Sequence, residues 1–135
     1  MCMTRRTLIA TGLGVCVTTT ARAASPAQQS FVVAAFRMKA QAVTAGDQPY
    51  GAVVVHSGEI VGWGPSRVRE LGEWVGHAER VAMRDAQRRL GRENLSGCVM
   101  YSTSRPCGAC ERAAVEARLA RMYHGESATD AGAPR

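Results

Sequence analysis

His77, Glu79, Cys107 and Cys110 are the residues whose types and spacing can do chemistry together in this chain. The first two stand in His77-Ala78-Glu79, and the two thiols in Pro106-Cys107-Gly108-Ala109-Cys110. A zinc ion that does hydrolysis takes three protein ligands and keeps one position for water. His77, Cys107 and Cys110 supply one imidazole and two thiolates. Cysteines three positions apart at a helix start can turn both sulfurs to one point, and the free amides there favour the thiolate form. Pro106 suits such a start. Zinc brings the pKa of water down to about 7, and a carboxylate two residues from the histidine can take that proton without ligating the metal. That is the role expected of Glu79.

Two other chemistries use the same cysteines. Cys-x-x-Cys alone is also a redox dithiol, or half of a structural zinc site that Cys98 or His124 would complete. A redox dithiol has no need of His77 or Glu79, so the pair of motifs favours hydrolysis. A catalytically silent zinc-stabilised binding module and an exported Cys-x-x-Cys redox protein stay open as alternatives.

The elements that must position these residues are legible from periodicity. Ser25-Pro26 can cap and start a helix, and Phe31, Ala35, Met38 and Ala42 recur at three- and four-residue steps until Gly46 ends it. Gly51–Val55 and Glu59–Gly62 flank His56-Ser57-Gly58 as a hairpin. The valine run is apolar on both faces, so its strand should be covered on both sides. Trp63 to Val75 reads as a Gly-rich loop; Trp63 and Trp74 within it could stack on a base or pack the loop down. A helix over His77–Leu90 turns Ala78, Val81, Ala82 and Ala86 inward, with Gly91 as its stop. Cys98–Thr103 reads as a strand with Cys98 filling core space, Cys107–Ala117 as a helix, and Leu119–His124 as a further strand. This order predicts an α/β fold, a three-layer α/β/α sandwich with a central mixed sheet. Both helix starts can then meet at one sheet edge, where ligands bind in such folds. Residues 126–135 read as a polar tail.

Residues 1–23 read as an export signal. Arg5-Arg6 precede a weakly apolar run from Leu8 to Val17, and Ala21-Arg22-Ala23 offers small residues for cleavage. The twin arginine favours the twin-arginine route, and the run is too short for a permanent membrane span. Cleavage after Ala23 leaves 24–125 as the zinc domain and lowers the net charge from +6 to about +3. Cys98, Cys107 and Cys110 then remain, an odd set that argues against a pure disulfide framework. The expected location is the periplasm, reached folded and metal-loaded.

Together these motifs resemble the zinc-dependent cytidine/deoxycytidylate deaminase superfamily, whose signature is H-x-E followed by P-C-x-x-C. The style is closest to the guanine, cytosine and tRNA-adenosine deaminase branch. Pro49–Val55 and Gly58–Val61 look like the family's first two strands. Leu95–Thr103 looks like the strand leading into the cysteines, and Arg118–Gly125 like the one after them. The resemblance implies Zn2+ on His77, Cys107 and Cys110, Glu79 as proton shuttle, and the backbone of Ala78 against the base. It puts Ser66 where the branch usually presents a substrate-contacting Asn. Trp74-Val75-Gly76 replaces a Pro-Thr-Ala-like stretch, and the C-terminal elements of the fold are shortened. The implied reaction is hydrolytic deamination of a free nucleobase or nucleoside (guanine, cytosine or adenosine type), releasing ammonia. Arg80, Arg84 and Arg88 form a stripe that could track phosphate or be a solvated face with Asp85 as partner. Export weighs against nucleic acid, so a small molecule is the expected partner. An uncovered last strand leaves room for a homodimer.

Overall fold

Ser25 starts the first helix by a reciprocal cap. Its hydroxyl accepts the Gln28 amide at 3.2 Å while the Gln28 side chain accepts the Ser25 amide at 3.1 Å, and Pro26 fills the first turn without needing a donor. The computed structural model describes Thr18 and residues 22–135. The expected export signal therefore lies outside the described residues, apart from Thr18, Arg22 and Ala23. Among the described residues, no helix is long and apolar enough to cross a membrane.

Helix α1 (Pro26–Thr44) leads into strands β1 (Gly51–His56) and β2 (Glu59–Pro65), then a single helical turn, α2 (Val68–Leu71). Helix α3 (Ala78–Leu90), strand β3 (Cys98–Ser102), helix α4 (Gly108–Glu116) and strands β4 (Arg121–His124) and β5 (Thr129–Gly132) follow. The described strands form one sheet in the order β2-β1-β3-β4-β5. Only β3 and β4 run parallel, with α4 as their crossover; the other pairs are antiparallel. The sheet is therefore mixed, as expected.

Strand alternation sorts the core into two layers. Ala52 and Val54 of β1 face α3 and α4 with Cys98, Met100 and Ala114, while Val53 and Val55 face α1 with Val32, Ala35 and Tyr101. Burial of β1 on both sides follows from its unbroken apolar run. Two glycines bring α3 unusually close to β2. A Cβ on Gly64 would stand 2.2 Å from the Ala78 carbonyl oxygen, and one on Gly62 would stand 2.3 Å from that of Ala82. The facing stripe on the helix, Ala78, Ala82 and Ala86, is equally small. No side chain separates the two backbones, so the start of α3 is set directly against the sheet.

Two sequence expectations are corrected. Trp63–Pro65 is not loop but the end of β2, and α2 interrupts the rest of that stretch. Gly and Pro usually mark loops; here the glycines are strand residues because α3 leaves no space for side chains. The expected polar tail is also wrong, since β5 pairs antiparallel with β4 and buries Ala128 against the α1 layer. Arg121 and Asp130 clasp the two strands.

Both rims of the sheet are irregular. In β2, Val61 is an extra residue between the Gly62 and Ile60 pairings, and the Trp63 amide donates to the buried Asp85 carboxylate of α3 at 3.0 Å. In β5, Ala131 is the extra residue between the Gly132 and Asp130 pairings.

Asp47, between α1 and β1, pins the loop after β2. Its carboxylate accepts the amides of Gln48, Val68 and Arg69 and the Ser66 hydroxyl at 2.8–3.1 Å. Partial burial pushes its carboxyl up, but the Arg69, Gln48, Ser66 and Val68 bonds outweigh this and hold it below the usual value. A depressed carboxylate contributes its stability above the unfolded value, near 3.8, and loses it as pH falls through the folded one. Melting of Asp47→Asn against wild type should accordingly differ most near neutral pH, and the gap should close below about pH 4. A gap that persists unchanged in acid would contradict this account.

Candidate metal centre

The two helix starts on the α3/α4 side of the sheet meet at one point. His77 is the residue before α3 and its carbonyl receives the Val81 amide at 2.9 Å. Cys107 holds the equivalent place before α4 in an extended conformation, and Cys110 lies inside the first turn. Ser102 shapes the approach to them, its hydroxyl donating to the Ser104 carbonyl at 2.7 Å. The approach of α3 to Gly62 and Gly64 fixes the histidine side of this meeting.

The ligand atoms of His77, Cys107 and Cys110 all lie within 4.8 Å of one another. His77 Nδ1 is 3.3 Å from Cys110 Sγ and 3.6 Å from Cys107 Sγ. A tetrahedral zinc with bonds of about 2.0–2.1 Å to nitrogen and 2.3 Å to sulfur separates those atoms by roughly 3.6 Å. The donor set and its spacing therefore fit zinc, with three ligands and room for a fourth. Neither Cys98 nor His124 joins the cluster among the described residues; Cys98 is wholly buried in the core at the far end of β3, opposite His56.

Glu79 is 6% exposed, with Oε2 3.7 Å from Cys110 Sγ. Burial pushes its carboxyl above the usual range, against the opposing pull of its own backbone amide, His77 and Cys110. A carboxyl whose protonated form is favoured by burial can hold a proton as well as take one up. The two thiols differ. Burial, then the Glu79 charge, pushes Cys110 well up. Burial also raises Cys107, but the Cys110 amide and thiol, His77 and the Ala109 amide overcome it and lower the thiol.

A cleft of about 470 Å³ opens over this cluster, lined by His77, Ala78, Glu79 and Cys107 and walled by Tyr50, Glu73 and Arg105. His77, Ala78, Glu79 and Cys107 thus come together as the motifs suggested, with Cys110 buried behind them. Ser66 does not join them. It is 2% exposed and its hydroxyl donates to Asp47 at 2.9 Å, outside the cleft lining. Its side chain is spent on holding the loop after β2.

Of the two tryptophans, Trp63 packs against the α1 layer. Trp74 is 64% exposed and its ring lies 6.5 Å from that of His77. Sequence reasoning missed Glu73, Tyr50 and Arg105. Glu73 had one available signal, its position four residues before His77, but no helical period runs through that stretch to give the spacing meaning.

Comparison with known proteins agrees with the geometry. Residues 25–126 match the cytidine and deoxycytidylate deaminase zinc-binding region. The chain is 36% identical over 95 residues to the tRNA-specific adenosine deaminase of Aquifex aeolicus (strain VF5), covering 70% of this chain and 63% of that protein. It is 33% identical over 104 residues to the guanine deaminase of Bacillus subtilis (strain 168), covering 76% of this chain and 67% of the relative. The X-ray structure of guanine deaminase from Bacillus subtilis superposes with a TM-score of 0.68 at 32% identity, over 72% of this chain and 62% of that one. The chain thus spans about two thirds of the length of these relatives.

Proposed function

We propose that this chain, which belongs to the cytidine and deoxycytidylate deaminase zinc-binding family, is a hydrolytic deaminase of a nucleobase taken free or as its nucleoside. The observation that carries this reading is the buried Glu79 carboxyl beside a three-ligand zinc cluster on the floor of an open cleft. A binding module has no use for a buried carboxyl at that point. The relatives are named for guanine and for adenosine, so a purine is the first candidate.

His77, Cys107 and Cys110 would hold the zinc, which would supply Lewis acidity toward water near neutral pH. Glu79 takes one proton as water attacks the amine-bearing ring carbon and passes it to the ring nitrogen, then carries the second proton of that water to the departing amine. The C–N bond breaks, a ring carbonyl forms and ammonia leaves. Ala78, wholly buried at the cleft wall, offers its backbone to the base. Trp74, its ring 6.5 Å from that of His77, is an exposed aromatic face on which a flat ring can stack.

The preference for a free base over RNA rests on the export signal expected at residues 1–23, since folded tRNA is not a periplasmic substrate. The identity with a tRNA-specific adenosine deaminase favours the RNA reading instead. One experiment separates them: ammonia release by the purified, zinc-assayed chain over guanine, cytosine, adenine, their nucleosides and an anticodon stem-loop RNA. The expected result is about one zinc per chain and turnover of at least one base or nucleoside. Turnover of the RNA alone would replace the small-molecule reading. A zinc-loaded chain that releases no ammonia from any of them would be a binding module, and one with under about half an equivalent of zinc and an oxidised Cys107–Cys110 pair would be a redox protein.

A further inference from the structure

We infer that Glu73 is a positioning residue of the metal centre, holding the His77 ring in the one tautomer and orientation that can ligate zinc. The inference concerns metal binding and holds whichever base the cleft accepts.

An imidazole presents two nitrogens, and only the one without a proton can be a ligand. Nδ1 faces the two sulfurs at 3.3 and 3.6 Å. Nε2, on the other side of the ring, lies 3.3 Å from Glu73 Oε1. An ionised carboxylate has no proton to donate, so it can only accept from Nε2–H. That bond keeps the Nδ1 lone pair free and aimed at the cluster. A carboxylate behind a ligating histidine also makes the ring a stronger donor to the metal.

The segment that carries Glu73 is built to hold it there. The Gly76 amide donates to the Gly72 carbonyl at 2.9 Å, closing a turn around Glu73-Trp74-Val75. The Arg67 amide donates to the Gly76 carbonyl at 2.8 Å and ties that turn to α2. A Cβ on Gly76 would stand 2.5 Å from the Val68 backbone, so the two segments lie against each other without side chains between them. Asp47 in turn caps α2 through the Val68 and Arg69 amides. Glu73 therefore sits on a closed turn that is anchored to the fold at its base.

The competing account is an ordinary surface ion pair. The Glu73 side chain is 58% exposed, and pairs of that kind add little to stability. The two accounts part on what the pair does. A surface pair would affect folding slightly and metal binding not at all, whereas a positioning carboxylate would affect metal binding and leave folding alone.

The test compares Glu73→Ala and Glu73→Gln with wild type by zinc affinity, using chelator competition, and by melting of the metal-free proteins. Glu73→Ala should bind zinc about tenfold more weakly with its metal-free melting unchanged. Glu73→Gln still offers an oxygen to Nε2–H and should recover to within about threefold of wild type. Ring-nitrogen NMR of the metal-free wild type, taken at a pH high enough that the His77 ring carries a single proton, should find that proton on Nε2. The inference is overturned if Glu73→Ala binds zinc within about twofold of wild type, or if it loses affinity only in step with folding. It is also overturned if Glu73→Gln is as weak as Glu73→Ala, or if the wild-type proton sits on Nδ1. Should Glu73→Ala fail to fold, Glu73→Gln and the wild-type spectrum still decide.

Discussion

Replacing Glu79 with alanine is expected to lower kcat by a factor of about 100 to 10,000 while zinc remains bound at the wild-type ratio. The carboxyl lies outside the ligand cluster, so its removal takes away no metal bond. It also relieves Cys110, whose thiol is pushed up first by burial and then by the Glu79 charge. Proton transfer has no substitute, because among the described residues no other carboxyl is buried in the cleft lining. Glu79→Gln should be nearly as slow, since an amide fills the space but moves no proton. A fall in kcat and kcat/KM together would mark a group that acts only in the transition state. Zinc analysis beside steady-state ammonia release checks both halves. A variant that keeps more than about a tenth of wild-type kcat would remove Glu79 from the mechanism.

Gly64→Ala should damage the protein more than its one added methyl suggests. Overfilling a packed core ordinarily costs about 1–3 kcal/mol. Here the methyl meets backbone, standing 2.2 Å from the Ala78 carbonyl oxygen and 2.6 Å from the Ala82 amide nitrogen. Neither can rotate aside, so the start of α3 must move off the sheet and the cost should reach the top of that range. For a domain of this size that is a fall in Tm of roughly 10–20 °C. His77 and Glu79 move with the helix, and a displacement of about 1 Å at a reacting centre can cost a hundredfold in rate. Gly58→Ala is the control. Its Cβ would meet nothing within 4 Å, so only the strain of its positive φ remains, about 1–2 kcal/mol. Similar melting of the two variants would mean that the contact between α3 and β2 is looser than described.

The parts of this fold that were legible in the sequence are those where a periodic apolar face meets a clear stop. Helix α3 is one, bounded by Gly91, and β1 another, with its valines buried on both faces. The end of β2 was illegible for the reason that makes it important: Gly62, Gly64 and Pro65 look like loop, and only the position of α3 explains them as strand. Strand β5 has almost no apolar content, and its existence depends on pairing with β4 rather than on its own residues. The metal cluster could be read because ligation dictates residue type and spacing at once. Ser66 was assigned by its place in a loop, and the loop turned out to be folded inward around Asp47. Glu73 escaped because its four-residue spacing from His77 falls in a stretch with no helical period to give it meaning.

The two irregular rims bear on how this protein behaves when crowded. A flat outer strand offers a row of free amides and carbonyls on which a second, partly unfolded chain can template. Along β2 that row is broken by the extra Val61, by the carboxylate of Asp85 on the Trp63 amide, and by Pro65, which has no amide to give. Along β5 it is short and broken again at Ala131. Neither side offers a long straight run on which a second chain could add a strand, so concentrated or partly metal-depleted protein is guarded against fibrils by the irregularity of both rims.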